Sequence, residues 1–338
     1  MVILKVPMKV ERRFNSTTPA HELTEFHTPP EKLFVVYHMG VPAVESDSWH
    51  VCFGGDVQSP LALSLADLKA LPQVEISACH ECAGSPLRPT VPVRRIGNVV
   101  WRGVRLSTVL DMVGIQAGAK YVWARGADRG VYPPTGTYSD CYLKDLPVDK
   151  AMADEVLLAT EVNGVPLGED HGAPVRLVVP GYYGTNSVKW LTEIRVERSR
   201  ADSFFTTTLY NDRFIEGGVE QVTPVWAVAP NSLIVAPAAG ETFAFEPMQI
   251  WGWAWGGQEI AAVELSADGG QNWSRAELAP RQGFGWQRFW RNWTPAAAGE
   301  CELVSRAVDK AGAFQPDAGA RNEVYRSKVC ISDISIHG

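Results

Sequence analysis

The sequence predicts an α+β domain followed by a β-sandwich of immunoglobulin type. Three observations predict it: abundant turn residues, short helical and strand-like patterns that interleave in the first part, and short alternating strands at regular spacing in the last part. The 338 residues include 23 Pro and 30 Gly, which disfavours long helices. At about 150 residues per domain the length fits two domains. A share of 46% hydrophobic against 20% charged residues is the balance of a globular chain with a sizeable core.

In the first part, "LSLADLKALPQ" (63–73) and "LSTVLDMVG" (106–114) place apolar residues at helical spacing. Each is opened by a serine, and the second is closed by Gly114. Around them "WHVCFGG", "VEISACH", "NVVWRGV", "YVWARGA" and "PVRLVVPG" read as strands joined by Gly/Pro loops, which leaves room for a loop-built site. From "PVWAVAPNSLIVAPAAG" onward the pattern changes. "QIWGWAWGG", "IAAVELSADGGQNWSRAEL", "GWQRFWRNWT", "CELVSRAVDKAG" and "EVYRSKVCISDISI" are alternating strands about ten residues apart. Asp268-Gly269-Gly270 reads as a hairpin turn. The boundary falls between Pro224 and Pro237, giving domains 1–225 and 226–338.

The net charge of −7 gives no electrostatic footprint for nucleic acid or an anionic membrane surface. No run of about 18 apolar residues occurs. The opening "MVILKVPMKVERRF" is too short in apolar length for a secretory h-region, so the expectation is a cytoplasmic protein as written, or a periplasmic one where a leader has been removed. Six cysteines in a chain this long do not make a disulfide framework, so free thiols are expected. Asn15, Asn272 and Asn292 begin glycosylation sequons, read here as chance matches.

The chemistry concentrates in "ISACHECAGSPLRPT" (76–90). Cys79-x-x-Cys82 is half of a zinc site, but no second close pair exists to complete four ligands. A redox dithiol opens a helix, and Pro86 and Pro89 oppose one here. Cys79 reads as a small hydrophobe at a strand end. Cys82 differs, because the strand ends there and Ala83-Gly84-Ser85-Pro86 turns tightly enough to present one thiolate, a ligand that favours soft or high-valent metals.

"ECAGS" (81–85), "NVVWRGVRLSTVL" (98–110), "VLLATEVNGVPLGEDHGAPVRLVVPGYYGTNSVKWL" (156–191) and "IWGWAWGG…IAAVELSADGGQNW" (250–273) together resemble the molybdopterin-dependent sulfite oxidase family, of the bacterial kind without a haem domain. The resemblance runs in order from about residue 33 to the end. It implies a molybdopterin-binding catalytic domain over 1–225 and an immunoglobulin-like dimerisation domain over 226–338. It also implies Mo-molybdopterin as cofactor, with Cys82 as the molybdenum ligand. The segment "DHGAPVRLVVPG" implies His171 and Arg176 as cofactor-binding residues, and "YGTNSVKW" implies Thr185, Asn186, Ser187 and Lys189. A guanidinium suits the pterin phosphate, since its planar fork matches an anion's oxygens. "FVVYHMGVP" implies His38, with Tyr37 beside it. Tyr142 takes the place of the family's pocket tyrosine, with Tyr138 the fallback, where a phenol can donate a hydrogen bond or shuttle a proton.

The departures concern substrate. Val36 stands where sulfite-oxidising members carry an arginine, and Pro86 and Leu87 follow the C-A-G-S motif where basic residues are expected. Arg88, Arg94, Arg95 and Arg102 are nearby substitutes, and "ARNEVYRSK" occupies the place of a further arginine, assigned to Arg326. The implied activity is oxygen transfer with two-electron chemistry on sulfite or a related sulfur compound. No C-x-x-C-H occurs for a c-type haem, so electrons pass to a separate acceptor such as a cytochrome. Two other readings stand beside it. One keeps the cofactor but takes an organic or protein-bound sulfur compound, or runs as a reductase. The other is a non-catalytic binding protein that uses the Trp-rich strands. Those strands read first as core and as the contact of a homodimer.

Overall fold

A computed structural model describes residues 8–9, 17–85 and 93–333. The chain is mostly β with few, short helices. It forms two compact units: residues 35–76 and 100–226, with the strand Met8–Lys9, make the first, and residues 17–34, 77–85, 93–99 and 227–333 make the second. Packing thus divides the chain at Trp226/Ala227. It also places 17–34, 77–85 and 93–99, which the sequence reading assigned to the first domain, with the C-terminal strands.

In the first unit, Leu143–Pro147, Tyr121–Gly126, Leu191–Glu197, His50–Gly55 and Leu61–Ser64 pair in that order. Only Leu191–Glu197 beside His50–Gly55 is parallel. Burial alternates along His50–Gly55, with Val51 and Phe53 inward, as a strand with one wet face requires. Leu157–Val162 instead opens on three consecutive apolar residues, Leu157, Leu158 and Ala159. It pairs with Val165–Pro166, Arg176–Val178 and residues 101–105, and Leu157, Leu158 and Ala159 are wholly buried.

The two expected helices form, and they begin differently. Leu65–Ala70 opens on a capping box between Ser64 and Asp67. Leu106–Val113 has Arg105 at its N-cap with no side-chain cap, so Ser107 is not its opener. It springs directly off a strand, with Leu106 N–H donating to Val156 O at 2.8 Å. Leu106, Val109, Leu110 and Val113 form its buried stripe, and Gly114 at φ 67° ends it.

The second unit has a four-stranded sheet (Asn231–Ala236, Met248–Trp255, Gln287–Trp293, Glu277–Leu278) and a five-stranded one (Thr242–Ala244, Arg326–Ser332, Gly299–Asp309, Ile260–Ser266, Ser274–Arg275). Ile250 and Phe289 from the first meet Val263, Leu303 and Val329 from the second in one core. At Gly252 a Cβ would fall 1.9 Å from Leu233 O, so the neighbouring strand tolerates only glycine there. The expected hairpin forms between Ile260–Ser266 and Ser274–Arg275, and its turn is held by the Asp268 carboxylate, which accepts from Gln271 and Asn272 N–H. Three tryptophans of the Trp-rich strands are core residues whose indole N–H groups fasten the earlier segments: Trp253 donates to Leu23 O, Trp286 to Phe26 O and Trp255 to the Glu81 carboxylate. Among the described residues no helix is long and apolar enough to cross a membrane.

Candidate cofactor site

Within the first unit, His38 is boxed by aromatic rings. It stacks on Tyr142 with centroids 5.0 Å apart and 20° between planes, meets Phe205 and Tyr210 edge-on, and lies 5.6 Å from Tyr132. Its Nε2 is 2.5 Å from Tyr210 Oη. Burial pushes the imidazole down to about 3, helped by the charges of Lys189 and Lys144, so the ring is neutral at physiological pH. Tyr142 hydrogen-bonds Thr185 through both its backbone O, at 2.8 Å, and Oγ1, at 2.6 Å. Tyr138, the fallback, is 61% exposed.

Lys144, in the strand Leu143–Pro147, stands two residues after Tyr142, and both reach Phe205. It is 1% exposed; Nζ donates to Phe205 O at 3.0 Å and lies 5.2 Å from the Tyr210 ring centroid. Burial pulls its ammonium down to about 7, opposed by Asp145, which is itself paired with Arg200. A base whose folded pKa lies below its unfolded value of 10.5 stabilises the fold fully only above that value, and progressively less as pH falls to about 7. Lys144→Met is therefore expected to gain stability relative to wild type as pH falls from 10 to 7, with no further gain below. Thermal unfolding of both proteins across that range checks it, and a pH-independent difference rejects the assignment.

The loop around residues 169–189 follows from one close approach. Glu169–His171 ends at Gly172 with φ 100°, where a Cβ would lie 2.7 Å from Lys189 Cβ, so a glycine is required. Arg176 donates to His171 O at 3.0 Å and Ser187 O at 3.1 Å, and its guanidinium lies over Trp101. Burial pushes it down to about 9, a shift that a bound anion reverses. Lys189 Nζ donates to Asp170 O at 2.8 Å and sits over the rings of Trp190 and Tyr37. Ser187 Oγ accepts from Val179 N–H. Asn186 is wholly buried; Nδ2 donates to Tyr183 O and Val225 O, while Oδ1 has no partner among the described residues. An orphaned buried carbonyl oxygen fits the donor-rich edge of a pterin, and the Arg176 and Lys189 cations fit its phosphate. The donor set therefore suits Mo-molybdopterin.

Cys82 belongs to the second unit, where the strand Gln73–Glu81 ends. Its N–H donates to Arg95 O, Ser85 N–H closes the turn on Cys82 O at 2.8 Å, and Gly84 N–H donates to Sγ at 3.3 Å. Arg95 Nη1 donates to Gly84 O, and Arg321 donates to Ala83 O. Burial pushes the Cys82 thiol up, opposed by the Gly84 N–H and by Arg95 and Arg321. Such a thiol ionises on metal binding rather than beforehand. Cys79 and Cys82 are both free. The preceding Glu81 is 1% exposed and accepts from Asn231, Trp255 and Asn322 at 3.0–3.3 Å, with burial raising its carboxyl to about 7.

The substrate arginines divide. Arg102 pairs with Glu161 at 3.3 Å, and Arg326 pairs with Asp317 at 3.0 Å. Arg321, not Arg326, approaches the Cys82 turn, because the chain reverses at Asn322, whose φ is 63°. Arg88, Pro86 and Leu87 lie outside the described residues. Sequence reasoning missed Lys144, Phe205, Tyr210 and Arg321. The i+2 spacing from Tyr142 is the one local pointer to Lys144; Tyr210 is 172 residues from His38 and carries no local signal.

The fold and these residues fit a molybdopterin-binding protein. Residues 38–205 match the oxidoreductase molybdopterin binding domain, and 223–330 match the Mo-co oxidoreductase dimerisation domain. The chain is 35% identical to mitochondrial sulfite oxidase of Homo sapiens, over 92% of this chain and 61% of the relative. It is 34% identical to sulfite oxidase of Gallus gallus, over 92% and 72%. The crystal structure of the sulfane dehydrogenase SoxCD from Paracoccus pantotrophus superposes with a TM-score of 0.80 at 28% identity, over 94% of this chain and 85% of that one. The chain belongs to the sulfite oxidase family, and Mo-molybdopterin is its cofactor. It spans about three fifths of the length of the human relative.

Proposed function

We propose that the protein oxidises sulfite or a related sulfur compound and passes the electrons to a separate acceptor. For sulfite, water supplies one oxygen to the sulfate formed, two protons are released, and two electrons pass to the acceptor. The observation that carries this reading is the convergence of the family's cofactor positions in the first unit: His38, Tyr142 and Thr185 form one contiguous contact series, and His171, Arg176, Ser187 and Lys189 another. Mo-molybdopterin supplies the oxygen-transfer and redox chemistry when bound. Cys82 is the proposed metal ligand, and Arg176, Asn186 and Lys189 the groups that hold the pterin and its phosphate. Arg321, anchored on Ala83 O, supplies positive charge beside the Cys82 turn. Tyr142 keeps its phenol hydrogen-bonded at Thr185, so that hydroxyl is ordered before substrate arrives. The C-terminal sandwich is the proposed contact of a homodimer, in line with its family model.

Val36 favours a second reading, because it removes a cation that a small dianion requires. The substrate is then a sulfur atom carried on an organic group or a protein, and the structural relative named a sulfane dehydrogenase points the same way. Protein produced in a host that makes the cofactor is expected to carry molybdenum and pterin in equal amounts and to reduce a one-electron acceptor when given sulfite. Full molybdenum without sulfite turnover, but with turnover of a persulfide, replaces the first reading by the second; absence of molybdenum overturns both.

A further inference from the structure

Tyr210 enters no reading of the sequence, yet among the described residues its hydroxyl is the group hydrogen-bonded to His38, at 2.5 Å from Nε2. We propose that Tyr210 is a positioning residue: its hydroxyl donates to Nε2, fixes the neutral imidazole as the Nδ1–H tautomer, and so gives the anionic cofactor a hydrogen-bond donor rather than an acceptor. The inference rests on the reading of His38 as a cofactor contact.

Geometry and acid–base chemistry support it. A neutral imidazole has one N–H, and the partner of one nitrogen decides where the proton sits. Between a phenol and an imidazole, the phenol is the better donor and the imidazole nitrogen the better acceptor. The Lys144 ammonium, 5.2 Å from the Tyr210 ring centroid, strengthens that donor by drawing electron density from the ring. The stacked Tyr142, with Phe205 edge-on, blocks a flip that would exchange the two nitrogens. The charged and titratable groups around the imidazole are Lys144, Lys189, Tyr132, Tyr142 and Tyr210. All are cationic or weakly acidic, so none stabilises an imidazolium. Among the described residues Nδ1 has no hydrogen-bond partner within the protein, which leaves its proton for a bound group.

Nitrogen NMR of histidine-labelled protein tests this, with His38→Gln assigning the signal among the seven histidines. The expected wild-type spectrum, read at pH 5.5 where Lys144 is charged, shows Nδ1 protonated and Nε2 as an acceptor, with and without cofactor. In Tyr210→Phe the signals move toward the Nε2–H tautomer, and the loaded variant releases pterin about 10-fold faster, the scale on which losing the partner of a ligand-contacting histidine acts. Nε2–H in the wild type overturns the proposal without need of any variant. An unchanged tautomer or unchanged pterin release in Tyr210→Phe overturns it too. Should Tyr210→Phe not fold, Lys144→Met serves in its place, with a smaller movement in the same direction expected. Protein that takes up no pterin defeats the functional reading instead, and the tautomer measured in unloaded protein still judges Tyr210.

Discussion

Cys82→Ser is expected to lower sulfite-dependent turnover by at least about 100-fold, the upper end of what removing even an indirect metal partner costs, while the protein stays folded. The functional reading makes Cys82 the metal ligand, and a neutral hydroxyl is a far poorer donor to a soft or high-valent metal than a thiolate. The fold survives because the change removes little volume, and the Gly84 N–H that donates to Sγ can donate to a serine oxygen in the same turn. The turn itself is closed by backbone bonds from Cys82 N–H and Ser85 N–H, which the substitution leaves alone. Circular dichroism and thermal unfolding check the second half of the expectation, and turnover per pterin checks the first. Undiminished turnover at full pterin content would remove Cys82 from the metal.

Glu81→Ala is expected to destabilise the second unit by about 3–5 kcal/mol, the cost of leaving buried partners of a charged group uncompensated. The carboxylate gathers the indole N–H of Trp255 and the side-chain amides of Asn231 and Asn322. Arg94, 3% exposed and held down to about 10 by burial, sits in the same electrostatic neighbourhood. An alanine leaves three donors facing a void and removes a charge that favours the Arg94 cation. Asn231 and Asn322 are further tied through Gln315, whose Nε2 donates to Asn231 Oδ1 and Asn322 O, so the loss reaches several strands at once. Denaturant unfolding followed by tryptophan fluorescence measures it. A cost below about 1 kcal/mol, that of an ordinary neutral hydrogen bond, shows that the network closes over the gap.

The sequence by itself determined the strand grammar, the change of pattern near residue 226, and the segments that carry the chemistry. It could do so because these signals are local: strand and helix periods, a capping serine at Ser64, and a glycine at 114 that closes a helix. The motif around Cys82 was legible for the same reason, since its turn is closed within four residues. Only the tertiary structure decided what surrounds those residues. It brought Tyr210 and Phe205 onto His38 and Lys144 under Tyr210. It also turned Arg321 rather than Arg326 toward Ala83. It placed residues 17–34, 77–85 and 93–99 with the C-terminal strands, through indole donors whose acceptors lie more than 170 residues away. Contacts at such separations leave no periodic trace in a single chain. They arise when buried polar groups must find partners, and which partner each one finds depends on the folding of every element between them.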